Sequence, residues 1–112
     1  MGKDKAALLQ GTLDLLVLKT VETMGPLHGW AIAKRIEQVS EDLLEMKYGT
    51  LYPALMRLEQ SGWISSEWGT SENNRRARFY TITRQGRKQL ALEAEGWDQM
   101  AAFIHRVLRK TR

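Results

Sequence analysis

The sequence holds three arginines within four residues, and this cluster has a clear chemical use. Arg75, Arg76 and Arg78 follow Asn73 and Asn74, and no acidic residue separates them. Guanidinium groups gathered in this way neutralise phosphates and release bound counterions. The alternative is a solvated loop whose charge serves solubility. We favour phosphate contact, with Asn74 included among the contacting residues.

A second group of polar side chains lies on and just before residues 50–61, which have helical spacing. Side chains near the start of such a helix are able to hydrogen-bond to base edges or phosphates. The residues assigned to nucleic-acid contact on this basis are Lys47, Tyr48, Thr50, Tyr52 and Arg57. Alternatives remain for two of them. Tyr52 is equally suited to packing between the helix and a neighbouring strand, and Arg57 to an exposed helix face.

Catalytic chemistry finds no support in the residue pattern. The histidines are His28 and His105, and neither has the spacing to partners that a catalytic triad or a metal site requires. The absence of cysteine excludes thiolate chemistry and Cys-ligated zinc, and there is no glycine-rich phosphate loop. We therefore expect no enzyme activity, cofactor or metal, and we interpret His28 as a hydrogen-bonding residue at a helix start.

The composition is that of one globular domain. The chain has 112 residues, 27% of them charged, with a formal net charge of +4. Its first 25 residues carry charges within their apolar stretch and lack a small-residue cleavage site, so no signal peptide is expected. No apolar run is long enough to span a membrane. Together with the absence of cysteine, these features favour a cytoplasmic location and no membrane partner.

Hydrophobic periodicity predicts the elements that position these side chains. The predicted helices cover residues 6–24, 28–40 and 50–61, two β-like runs cover 63–68 and 78–83, and a last helix starts at Arg84. Gly25 and Gly62 are predicted helix stops, and Thr50 a predicted N-cap with Pro53 in the first turn. The predicted inner face of the second helix is formed by Trp30, Ile32, Ala33, Ile36 and Val39. The predicted core stripe of the third helix is formed by Leu51, Leu55 and Leu58.

This order of elements predicts a fold that is mainly α with a small two-stranded β-hairpin. It is the order of a winged helix-turn-helix followed by an extra helix. The third helix of such a fold enters the DNA major groove, and the hairpin tip, or wing, touches the phosphate backbone. We expect residues 1–83 to form the DNA-binding domain and residues 84–112 a dimerisation helix.

The last predicted helix carries a heptad seam. Its apolar positions are Leu90, Ala94, Trp97, Ala101, Ile104 and Leu108. Either the seam packs on its own domain or it packs on a second copy. We favour a homodimer, because the other elements already close a core, and we add Leu9, Leu13 and Leu16 of the first helix to the interface. A twofold axis would pair two reading helices on an inverted repeat. Trp97 is either a core residue of this seam or a stacking surface for a flat ligand.

Three segments together resemble the PadR family of bacterial transcriptional regulators. They read GPLHGWAIAKRIE, YGTLYPALMRLEQSGWISSEWG and NNRRARFYTITRQGRKQL. The short tail resembles the subgroup with a single C-terminal helix, and residues 62–80 resemble a branch from acidobacteria and other soil bacteria. The chain departs from the family in having Trp30 where Tyr is commoner and Tyr48 where a small or acidic residue is commoner.

The resemblance implies a homodimeric repressor on a promoter inverted repeat. It implies base contacts from Thr50, Tyr52 and Arg57 and wing contacts from Arg75 and Arg76. In some relatives a planar compound binds between the subunits and weakens DNA binding, and one has a tryptophan aligned with Trp97. The competing interpretation is a winged-helix module for protein contact, or an architectural DNA-binding module without an effector.

Overall fold

A computed structural model describes residues 10–41 and 43–110 of the chain. In order, the described elements are α1 (Gln10–Met24), β1 (Leu27–His28), α2 (Gly29–Val39), α3 (Tyr48–Gln60), β2 (Ile64–Thr70), β3 (Arg76–Ile82) and α4 (Arg84–Lys110). This is the predicted arrangement of a winged helix-turn-helix with a following helix. Leu9, one of the predicted interface residues, lies outside the described residues.

The core forms where α1, α2 and α3 meet under the sheet. Its fully buried large side chains are Val17, Leu18, Val21, Ile32, Leu51, Leu55, Leu58 and Ile64. The predicted leucine stripe of α3 is therefore confirmed. On α2, however, Trp30 is 63% exposed and Val39 is 66% exposed, so the prediction that both face inward is wrong. At about 100° per residue Trp30 falls on the side of α2 opposite Ile32, and Val39 ends the helix beyond the core.

The sheet is antiparallel, with strand order β1–β3–β2. The predicted hairpin is present, with Ile64 opposite Ile82 at its base and Thr70 opposite Arg76 near its tip. The short strand β1 was not predicted. It adds Leu27 opposite Tyr80 and His28 opposite Phe79. Two residues are too few to produce a strand pattern in the sequence, because alternation needs a longer run.

The third helix begins earlier than predicted. Its N-cap is Lys47, and Thr50 lies within the first turn, where its N–H donates to the Lys47 carbonyl at 2.9 Å. The prediction that Thr50 caps the helix is therefore wrong. Pro53 consequently lies in the second turn and leaves the carbonyl of the exposed Gly49 without its intrahelical donor. The predicted stop at Gly62 is confirmed by its φ of +80°.

The last helix is tied to the end of α3. The Thr83 hydroxyl donates to the Gly62 carbonyl at 2.6 Å and accepts the Gly86 N–H at 3.0 Å. Leu90, farther along α4, is buried in the chain's own core. Beyond it the helix extends away from the core, and the long axis of the molecule reaches 56 Å. None of the helices in the described ranges is long and apolar enough to cross a membrane.

Candidate nucleic-acid interface

The wing ends in a tight turn that presents its cations outward. The Ser71 N–H donates to the Arg75 carbonyl at 2.8 Å, and the Asn74 N–H donates to the Ser71 carbonyl at 2.8 Å. Asn74 has a φ of +60°, a left-handed conformation that asparagine tolerates better than most residues. Arg75 and Arg76 are exposed, and neither has a carboxylate partner in residues 10–41 and 43–110. The predicted cluster therefore lies at the wing tip with two unneutralised charges.

Arg78, the third arginine of the cluster, is engaged within the protein. Its Nε and Nη2 donate to the Ser66 hydroxyl at 3.0 and 2.6 Å, and Nη2 lies 3.6 Å from a carboxylate oxygen of Glu59. Glu59 belongs to α3 and also accepts the Ser66 hydroxyl at 2.7 Å. Arg78 thus joins the wing to α3 and has less charge to offer a phosphate than Arg76.

Trp68 is the platform on which two of the arginines rest. It lies directly opposite Arg78 in the β2–β3 register. The guanidinium carbon of Arg76 is 4.8 Å from the indole centroid, and that of Arg78 is 5.1 Å away. These are cation–π distances, so the ring limits where both charged groups sit. Trp68 was not predicted as a site residue. Its position in the alternating series Ile64, Ser66 and Trp68, on one face of β2, was the available signal.

Helix α3 presents two tyrosines at its start. Tyr48 and Tyr52 are exposed, and their ring centroids lie 5.5 Å apart. Partial burial raises the pKa of Tyr48, and the neighbouring Tyr52 adds to the effect. Both predicted contacts therefore lie on one exposed surface. A Cβ on Gly29 would lie 2.9 Å from Tyr48 Cε1, so the glycine at the start of α2 allows the ring to rest there.

Arg57 does not belong to this surface. Its Nη2 donates to Asp14 Oδ1 of α1 at 3.0 Å, and its buried Nε has no partner among residues 10–41 and 43–110. The Asp14 side chain is only 13% exposed. Contact between Arg57 and a base would require breaking this pair, and the assignment of Arg57 to DNA contact stays a prediction. Lys47 and Thr50 are exposed at the start of α3, as the assignment requires.

An open cleft of about 510 Å3 separates α2 and α3 from the wing. Its aromatic and cationic lining comprises His28, Trp30, Tyr48, Tyr52, Trp68, Tyr80, Arg76 and Arg78. His28 is confirmed as a helix-start residue, because its Nδ1 accepts the Ala31 N–H at 3.2 Å. Thus the turn before α2, the start of α3 and the wing meet around one cavity. Four of the nine predicted contact residues, Tyr48, Tyr52, Arg76 and Arg78, line it.

The predicted heptad seam divides into a buried and an exposed part. Leu90 belongs to the core, as does Leu13 of α1, so both pack within one chain rather than across an interface. Leu16 is partly buried against that core. Trp97, Ile104 and Leu108 are exposed, and Ala94 and Ala101 are partly exposed. An open hollow of about 420 Å3 lies between α1 and α4 beside Trp97 and Met100.

These features match a known family. The sequence model of the PadR-like family of transcriptional regulators matches residues 17–92, which is more than half of the chain. The chain belongs to the PadR-like family. Regulators of this family act by binding DNA and are not enzymes.

Solved structures and one curated sequence are similar to this chain over most of its length. A transcriptional regulator from Clostridium thermocellum is 32% identical, with a TM-score of 0.77, covering 86% of this chain and 89% of that one. A PadR family transcription regulator from Clostridium difficile is 28% identical, with a TM-score of 0.75, covering 86% and 97%. An uncharacterised protein of Lysinibacillus sphaericus is 23% identical over 89% of this chain and 91% of its own length.

Proposed function

We propose that this PadR-like protein is a homodimeric repressor that binds an inverted-repeat operator. The observation that carries the proposal is the pair of unneutralised arginines, Arg75 and Arg76, at the tip of a wing beside an exposed reading helix. Phosphate contacts fix where a protein sits on the duplex, and side chains in the major groove read the bases.

The reading head comprises residues 1–83, and its contacts divide by chemistry. Tyr48, Thr50 and Tyr52 face the base edges, because they lie in the first turns of α3 and are exposed. Lys47 lies at the N-terminus of the same helix, where its charge and the helix dipole both favour a phosphate. The wing supplies the remaining backbone contacts through Asn74, Arg75, Arg76 and, to a smaller extent, Arg78.

The dimer forms through α4, within residues 84–112. Support comes from the exposed apolar side chains along its outer part, among them Trp97, Met100, Phe103, Ile104 and Val107. A contiguous apolar surface of this length on one helix is typical of an interface. An apolar groove of about 240 Å3 between α1 and α2, lined in part by Leu16 and Val39, offers further surface to a second copy.

An effector site at Trp97 belongs to the same proposal. The indole borders the hollow between α1 and α4, and a second copy packed there would close that hollow over the ring. A planar compound stacked on Trp97 would then bind between the subunits. Its binding would weaken DNA affinity if it favoured a spacing of the two reading helices that the operator does not match.

Selection of genomic DNA fragments by the purified protein, followed by sequencing, tests the proposal. We expect one enriched inverted repeat with half-sites about one helical turn apart. The R75A/R76A double variant should lose this enrichment, and an exposed variant away from the wing, L92A, should keep it. Retained fragments without a common motif would indicate an architectural DNA-binding module. No retained fragments would indicate a protein-interaction module.

A further inference from the structure

Two tryptophans to which the proposed function assigns no DNA contact line the cleft. Trp30 of α2 is 63% exposed, and Trp68 of the wing is 55% exposed. Both line the same cavity. Large exposed indole surfaces that line one groove are typical of a binding site.

Each indole has at least one cationic side chain over its ring. Lys34 Nζ lies 5.4 Å from the centroid of the Trp30 ring, while Arg76 and Arg78 rest on Trp68. Lys34 has a second partner, Glu37, at 3.8 Å, and Arg78 has Glu59. Arg76 has no carboxylate partner within the described parts of the chain. Trp68 therefore positions Arg76 while leaving its charge available to an anion.

The cleft between the indoles suits a chain that alternates apolar and anionic groups. None of the described residues that line it carries a carboxylate. Glu59 lies instead along the adjoining groove, beside Arg78. The walls thus offer ring faces and guanidinium groups. A sugar–phosphate backbone has complementary chemistry, with deoxyribose faces that pack on rings and phosphates that pair with arginine.

We propose that this cleft seats one backbone strand of duplex DNA, with deoxyriboses against Trp30 and Trp68 and a phosphate on Arg76. The inference rests on the proposed function, since α3 must lie in the major groove for a strand to pass between it and the wing. Such contacts carry no sequence information. They fix the register of Tyr48 and Tyr52 on the bases.

Fluorescence anisotropy with a short duplex of random sequence, over a series of salt concentrations, tests the proposal. We expect W68A to bind about tenfold more weakly, with a salt slope shallower by about one unit because Arg76 loses its platform. W30A should bind several-fold more weakly with the wild-type slope. W68F keeps a ring and should bind nearly as the wild type does. L92A changes an exposed side chain of α4 and is the matched control.

A second measurement follows the tryptophan fluorescence of the folded proteins as duplex DNA is added. Duplex DNA should quench the tryptophan fluorescence of the wild type, and W30F/W68F, which retains Trp63 and Trp97, should lose most of that quenching. The inference would be overturned if W30A and W68A bound duplex DNA with wild-type affinity and W30F/W68F kept the wild-type quenching. If R75A/R76A still bound more weakly, the proposed function would remain intact. A wild type that binds no duplex would overturn both. If W30A and W68A bound single-stranded DNA or a planar aromatic anion more weakly but bound duplex DNA as the wild type does, the cleft would be assigned to that other ligand and the inference would be overturned.

Discussion

The Arg57 guanidinium lies 3.0 Å from the Asp14 carboxylate, which joins the reading helix α3 to α1. Asp14 is nearly buried, and Arg57 is about one-third exposed. The pair therefore lies where water only partly screens it. The pair fixes the orientation of α3 against α1, a helix none of whose described residues line the cleft. Arg57 thus links α3 to α1, and we propose that it positions the interface rather than contacting DNA.

Substitutions of Arg57 and Asp14 test how much this pair stabilises the fold. R57M and D14N should each lower the free energy of unfolding by about 1–3 kcal/mol, because each leaves a hydrogen-bonding group of the other residue unpaired. In a double-mutant cycle the two losses should not add. Denaturant unfolding at a fixed protein concentration measures them, since a dimer's stability depends on concentration. A salt slope of DNA binding that falls in R57M would return Arg57 to the DNA interface.

Two glycines on α4 supply a contrasting pair of substitutions. A Cβ on Gly86 would collide with the Trp63 carbonyl oxygen, whereas a Cβ on Gly96 would meet open space. We expect G86A to lower the free energy of unfolding by more than about 2 kcal/mol, because the backbone must shift. G96A should raise it by about 0.5–1 kcal/mol through helix propensity. Thermal unfolding of both variants measures the difference. A neutral G86A would mean that α4 does not pack against Trp63 as described.

The contact between Gly29 and Tyr48 predicts a coupled effect on DNA binding. G29A should displace the Tyr48 ring and weaken duplex binding several-fold, because Tyr48 loses its place at the start of α3. In a Y48A background the same substitution should have little effect, since no ring remains to be moved. Anisotropy titrations of the four proteins form the cycle. Equal losses from G29A in both backgrounds would separate Gly29 from Tyr48.

The seam on α4 predicts which substitutions separate the proposed dimer. Ile104 is 45% exposed on the seam, and Leu92 is 64% exposed on the opposite side of the helix. I104D should yield a monomer that keeps its helical content, because the charge enters an apolar interface. L92D should remain a dimer. Sedimentation velocity distinguishes the two states, and a dimeric I104D would place the interface elsewhere.

Local signals in the sequence predicted much of the fold. The leucine stripe of α3 follows from helical periodicity, and the stop at Gly62 follows from the need for a left-handed residue after a helix. The hairpin follows from alternation and from turn formers such as Asn74. Each of these features depends on residues close together in the sequence, so a single chain displays it directly.

The features that escaped prediction depend on residues far apart in the sequence. Asp14 and Arg57 are separated by 43 positions, and no spacing rule connects them. The strand β1 exists only because β3 lies beside it. The heptad seam predicted an apolar face of α4 but not what covers it, so Leu90 was assigned to a second subunit although it packs in the chain's own core. Periodicity identifies an apolar face, whereas tertiary structure determines what covers it.

The salt dependence of duplex binding tests the central claim most directly. That claim is that the arginines at the wing tip neutralise DNA phosphates. Titrations of the wild type and of R75A/R76A over a salt series give the number of counterions that each releases. We predict that the double variant binds every sequence more weakly and that its slope is shallower by about two units. The same slope in both proteins would contradict the claim and remove the wing from the DNA interface.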